Sequence, residues 1–130
     1  MSEYLFAYGT LQPGLGPGEI GDLIRDLLVV GKGSVQGTLY DLGSYPGARL
    51  DTISSHRIWG TVFCLPTGID LLSRLDAYEE YYPESPHASQ FIRKLCTAQL
   101  TDGRTLECWI YEYNGHPDAT SILESGTWAD

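Results

Sequence analysis

Phe91-Ile92-Arg93-Lys94-Leu95-Cys96-Thr97-Ala98-Gln99-Leu100, then Thr101-Asp102-Gly103-Arg104, then Thr105-Leu106-Glu107-Cys108-Trp109-Ile110-Tyr111-Glu112-Tyr113 is the stretch that decides the fold class. Asp-Gly between two strand-like runs is a strong hairpin signal, because a tight antiparallel connection needs a residue that accepts a positive φ. The run Arg57 to Leu65 adds a strand with two apolar faces: Ile58, Val62 and Cys64 on one, Trp59, Phe63 and Leu65 on the other. Such a strand is expected at the centre of a sheet. Val29 to Tyr40 keeps strand character in Ser34-Val35-Gln36-Gly37-Thr38-Leu39-Tyr40 but is interrupted by Gly31, Gly33 and Gly37. Glycines within a strand pattern signal bulges or sharp curvature. Asp41-Leu42-Gly43-Ser44-Tyr45-Pro46-Gly47 then reads as a loop.

Towards the N-terminus, Tyr4-Leu5-Phe6-Ala7-Tyr8 is an apolar run of strand length that enters Gly9-Thr10-Leu11 and then Gln12-Pro13-Gly14. A short helical segment of this composition is the alternative. With a strand here, the main-chain N–H groups of Gly9, Thr10 and Leu11 leave the ladder and converge on a site fit for an anion. The following Gln12–Gly18 stretch is a glycine- and proline-rich loop. It lacks the Gly-Lys-Ser/Thr of a nucleotide P-loop.

Two segments carry helical periodicity. Ile20, Leu23, Ile24, Leu27 and Leu28 place an amphipathic helix over Glu19 to Leu28, with Glu19 and Asp22 in the first turn where the dipole favours acids. Gly68 to Tyr78 reads as the second, closed by Tyr81-Tyr82-Pro83-Glu84-Ser85-Pro86. Leu72, Leu75 and Glu79 share its apolar stripe, which leaves Asp76 and Glu80 directed to a solvated face. Glu79 thus combines an apolar face with the negative end of a helix. Both disfavour its charge and raise its pKa, the tuning a proton shuttle requires. Strands outnumbering two helices give an α+β domain on a curved, mostly antiparallel sheet, and the 130 residues form a single domain.

Charge and cysteine usage narrow the function. Seventeen acids against eight bases give a net charge of −9, without a basic cluster, which speaks against nucleic acid and anionic membranes. No span-length apolar run and no signal-like N-terminus are present, so the reading is a cytoplasmic protein with no membrane partner. Cys64, Cys96 and Cys108 have neither metal spacing nor an even count, and His56, His87 and His116 are scattered. No metal is expected.

Three stretches in order resemble the gamma-glutamylcyclotransferase-like superfamily: Tyr8-Gly9-Thr10-Leu11, Gly37-Thr38-Leu39-Tyr40-Asp41-Leu42-Gly43-Ser44-Tyr45-Pro46-Gly47, and Leu75-Asp76-Ala77-Tyr78-Glu79. The branch is similar to the small bacterial and gamma-glutamylamine cyclotransferase type, and Ser125-Gly126-Thr127-Trp128 resembles its Ser-Gly-x-Trp ending. The resemblance implies a small, curved, mixed β-barrel flanked by two helices, with a pocket at one mouth. It implies that the Tyr8 to Leu11 loop holds the substrate and that Glu79 is the catalytic glutamate.

The sequence departs from relatives in its glycine- and proline-rich Pro13–Gly18 stretch and in Glu80, where a glycine is common. These departures bear on the substrate. The implied chemistry is cofactor-free: the α-amine of a small gamma-glutamyl amine or peptide attacks its own γ-carbonyl, releasing 5-oxoproline. Tyr8, Tyr40, Tyr45 and Tyr82 are candidate substrate-binding residues, since a phenol orients a carboxylate or amine while its ring packs. Expected partners are the small-molecule substrate and, at most, a second copy in a weak homodimer. The alternatives are a non-catalytic binding module of the same fold and a carboxylate hydrolase releasing glutamate. The hydrolase is disfavoured because no second carboxylate occupies an equally apolar, motif-bearing position to divide the acid and base roles.

Overall fold

The strands β1 (Glu3–Ala7), β2 (Leu28–Asp41), β3 (Pro46–Leu50), β4 (Arg57–Leu65), β5 (Phe91–Leu100) and β6 (Thr105–Tyr113) carry the fold in a computed structural model. Residues 3–8, 28–43, 45–51, 55–65, 75–76, 81 and 84–127 are described. The β5–β6 hairpin forms as its sequence predicts, in register from Phe91 opposite Tyr113 to Gln99 opposite Thr105. Gly103 supplies the turn, with a φ of 98° that a side chain would disfavour.

β4 is central, antiparallel to both β1 and β2. β2 serves three neighbours in turn. Its first part pairs with β4, Gly33 and Ser34 also pair with Leu100 and Gln99 of β5, and Gly37 to Asp41 pair with β3. A register shift between Val29 and Gly31 marks the bulge that the glycine pattern signals. β6 joins β1 in parallel at Leu5 and Trp109, and joins β3 in parallel at Ala48 and Glu112. The circuit β1–β4–β2–β5–β6 is therefore a closed mixed barrel, with β3 as an extra strand bridging β2 and β6.

Three sequence expectations are corrected or left aside. Pro46 and Gly47, read as loop, begin a strand; Pro46 takes its first position, where a proline is tolerated. Leu28, read as the end of the first helix, already belongs to β2. The remainder of that helix lies outside the described residues, as does the second apart from Leu75 and Asp76, which are helical. Among the described residues no helix is long and apolar enough to cross a membrane.

Period-two alternation divides the apolar side chains between two clusters. Phe6, Tyr8, Val35, Leu39, Ile58, Val62, Ala98, Cys108 and Ile110 fill the barrel interior. Leu5, Ala7, Phe63, Leu65, Phe91 and Tyr111 face outward and are covered by Leu75. Leu75 is fully buried, while Leu72 and Glu79 of its expected stripe lie outside the described residues. The tail also packs on the barrel: Leu123 N–H donates to Leu39 O and Trp59 N–H to Gly126 O, each at 2.8 Å.

Cys96 and Cys108 face one another across the hairpin. Burial, with Cys108 and Glu107 adding to it, pushes the Cys96 thiol up to about 12 from an ordinary 9.0. Burial, with Glu107 adding, pushes Cys108 up to about 11. Both groups are raised, so their contribution to stability is intact below the unfolded value of 9.0 and is lost as pH climbs through the folded values. The denaturant midpoint is expected to fall from pH 9 upward, and Cys96→Ala with Cys108→Ala should flatten that slope. An unchanged slope in the double variant would remove the thiols as its cause.

Candidate functional site

Of the motif residues, Tyr8 lies directly after β1. Tyr8 is buried, 6% exposed, and its hydroxyl links three strands: it donates to Tyr111 O and accepts the Ala48 N–H at 3.2 Å. The Tyr8 ring lies in the barrel interior, while its hydroxyl is engaged within the protein. Tyr8→Phe is expected to cost about 1–2 kcal/mol, because a buried donor and acceptor each lose a partner. A shift in urea midpoint at constant slope measures this, and no shift would mean that neither contact contributes.

Tyr45 is half-buried at an aromatic corner. Its ring meets Phe91 edge-on at 6.1 Å, and Phe91 meets Tyr113 in the same way at 5.7 Å. The Gln90 side-chain amide donates to the Tyr45 hydroxyl. Tyr40 sits opposite Gly47 in the β2–β3 ladder and bridges to Ile122 of the tail. Leu42 N–H donates to Tyr45 O at 3.0 Å, closing the turn between them. The structure therefore brings Tyr8 and Tyr45 to the same end of the barrel, with Tyr40 on the adjoining ladder. Gly9, Thr10, Leu11, Glu79 and Tyr82 lie outside the described residues.

Two buried carboxylates enter that sequence reasoning missed. Asp76, expected to face solvent, is only 8% exposed. Tyr111 Oη donates to its Oδ1 at 2.7 Å, and Arg93 Nε lies 3.4 Å from the same oxygen. The Arg93 guanidinium is itself stacked over the Trp109 ring at 4.7 Å. The solvated face expected for Asp76 is not found: the barrel flank that it meets offers a phenol and a cation rather than water. The signal was available in the hairpin, whose register sets Arg93 directly opposite Tyr111.

Glu112 is 5% exposed and alternates with Cys108 and Ile110 on the inner face. Its carboxylate accepts the Leu50 N–H at 2.8 Å and pairs with Lys94 Nζ at 2.6 Å. A buried carboxylate is tolerable only when paired and hydrogen-bonded, and both are. Two acids are therefore buried among the described residues, and one of them, Asp76, lies within the Leu75-Asp76-Ala77-Tyr78-Glu79 motif. Asp76 and Glu112 are each engaged by partners of the fold.

Comparison with known proteins bears on the whole chain. The family model described as "Gamma-glutamyl cyclotransferase, AIG2-like" matches residues 5–130. No match was found among curated proteins. An AIG2-like protein from Mus musculus has a similar fold, with a TM-score of 0.77 at 18% identity over 98% of this chain and 88% of that one. YkqA from Bacillus subtilis aligns with a TM-score of 0.70 at 19% identity, and the alignment covers 98% of this chain but 40% of YkqA. A structure described as a gamma-glutamyl cyclotransferase aligns with a TM-score of 0.60 at 14% identity over 87% of this chain and 67% of that one.

Proposed function

The chain belongs to the gamma-glutamyl cyclotransferase, AIG2-like family, and from that premise we propose that it releases 5-oxoproline from a small gamma-glutamyl amine or gamma-glutamyl peptide. The observation that carries this reading is the family match across residues 5–130, within which Tyr8-Gly9-Thr10-Leu11 and Leu75-Asp76-Ala77-Tyr78-Glu79 stand in order. The substrate brings its own nucleophile. Its α-amine attacks the γ-carbonyl, the carbon–nitrogen bond to the leaving amine breaks, and a five-membered lactam remains.

An intramolecular attack needs the substrate held as a near-attack conformer more than it needs a reactive protein group. The amine gives up a proton and the leaving nitrogen gains one, and Glu79 serves both transfers in turn. Backbone N–H groups of Gly9, Thr10 and Leu11 bind either the tetrahedral oxyanion or the substrate α-carboxylate. Tyr45, with its hydroxyl at the barrel end, and Tyr40 and Tyr82 shape the surround. The reaction as written calls on no metal, nucleotide, nucleic acid or membrane.

Mass-spectrometric detection of 5-oxoproline from a panel of gamma-glutamyl amines and dipeptides tests the proposal. Release of 5-oxoproline with one equivalent of free amine is the expected result. Release of glutamate instead would make the protein a hydrolase. A gamma-glutamyl ligand that raises the melting temperature without turnover would make it a binding module.

A further inference from the structure

Tyr111 occupies an unusual junction. Its hydroxyl donates to Asp76 Oδ1 at 2.7 Å, while its backbone carbonyl accepts the Tyr8 hydroxyl. One residue of β6 thus holds both the strand end that leads into Gly9-Thr10-Leu11 and the segment that leads into Glu79. The Asp76 carbonyl in turn accepts the N–H of Tyr81 at 2.8 Å, and Tyr81 packs on the same outer cluster as Leu75. Glu79 lies in the chain between these two fixed residues.

A side chain meant only to hold this segment on the barrel would be apolar, as Leu75 is, since burying an ion pair is often no more stabilising than burying hydrophobic groups of the same size. What the polar contact adds is direction. The carboxylate receives Tyr111 Oη and lies beside Arg93, whose guanidinium stacks on Trp109, so the direction in which Asp76 faces is set.

We propose that Tyr111 and Asp76 are positioning residues: a clamp that sets Glu79 relative to the loop after β1, and so relative to the substrate. The inference rests on the cyclotransferase reading and deepens it. Neither side chain touches the reacting atoms. Each acts through a neighbour, Asp76 through the segment it begins and Tyr111 through both motif stretches at once.

The test is Tyr111→Phe, which deletes the hydroxyl but keeps the ring and the backbone carbonyl, with Asp76→Asn beside it. On the best gamma-glutamyl substrate, kcat for 5-oxoproline release in Tyr111→Phe should fall about 10- to 100-fold, the scale of a misplacement near 1 Å, with KM held within about 3-fold. In a Glu79→Gln background the same change should cost nothing further, because the clamp acts through that carboxylate. Asp76→Asn keeps an acceptor for Tyr111 and should therefore lose less activity than Tyr111→Phe.

A kcat within about 2-fold of wild type, or an equal loss with and without Glu79, would overturn the proposal. Hydrogen exchange tests the clamp independently of the reaction. Amides of residues 77–81 should exchange faster in Tyr111→Phe while those of β2 and β4 do not change. If wild type releases no 5-oxoproline, the cyclotransferase reading falls, and exchange alone then decides the clamp. Unchanged exchange over 77–81 rejects it in either case.

Discussion

Glu79→Gln should lower kcat for 5-oxoproline release by about 10²- to 10⁴-fold, the contribution of a positioned general acid–base, with KM little changed. The substitution preserves size and hydrogen-bonding reach but cannot take up or return a proton. The same loss corresponds to about 3 to 5 kcal/mol of transition-state stabilisation. The proposed reading assigns ground-state binding to residues other than Glu79, so the loss should appear in kcat and in kcat/KM equally. Residual turnover is expected, because holding the amine against its own carbonyl accelerates the attack without a base. A variant with wild-type kcat would transfer the proton role away from Glu79. Asp76 and Glu112 would be poor heirs, since each is already engaged by a cation and a hydrogen-bond donor of the fold.

The elements that were legible in the sequence are those whose partners are local. β5 and β6 are specified by their own alternation and by Asp102-Gly103, and their register follows from the turn. β4 is legible because both its faces are apolar, which only a central strand satisfies. β3 is different. Pro46-Gly47-Ala48-Arg49-Leu50 has no alternation to read and becomes a strand through its neighbours, β2 on one side and the parallel contact of Ala48 with Glu112 on the other. Parallel pairing of β6 with β1 and β3 joins residues far apart in the chain, and no local signal records it.

The same distinction separates the site residues. A motif carries Tyr8, Tyr45 and Glu79 in short stretches that can be recognised whole. The groups that hold Tyr8 and Tyr45, Tyr111 of β6 and Gln90 just before β5, are distant in the chain. Asp76 was misread because helical periodicity describes one element alone, while its burial depends on what the opposing surface presents. A cation beside a phenol on a hydrophobic hairpin face, Arg93 opposite Tyr111, was the clue that an anion would be received there.

Gly60→Ala should be the most damaging small substitution in the barrel wall, lowering stability by about 3 kcal/mol, at the upper end of overpacking costs. A methyl group at this position would run into the carbonyl oxygen of Ala7 and lie 2.9 Å from the Phe6 ring. Phe6 is a side chain and can be trimmed; the Ala7 carbonyl belongs to β1 and cannot. Phe6→Leu should therefore fail to rescue Gly60→Ala, whereas full rescue would assign the cost to the ring instead. Relief can come only from displacing β1 away from β4, against the pairing that runs from Glu3 opposite Leu65 to Ala7 opposite Thr61. That displacement would reach Tyr8, and through its hydroxyl Tyr111 and Ala48, before it reached any distant part of the barrel. For a domain of this size the melting temperature should fall by about 10 °C. Turnover measured well below that temperature should fall as well, because the strand that moves leads in the chain into Gly9, Thr10 and Leu11, the residues proposed above to hold the substrate.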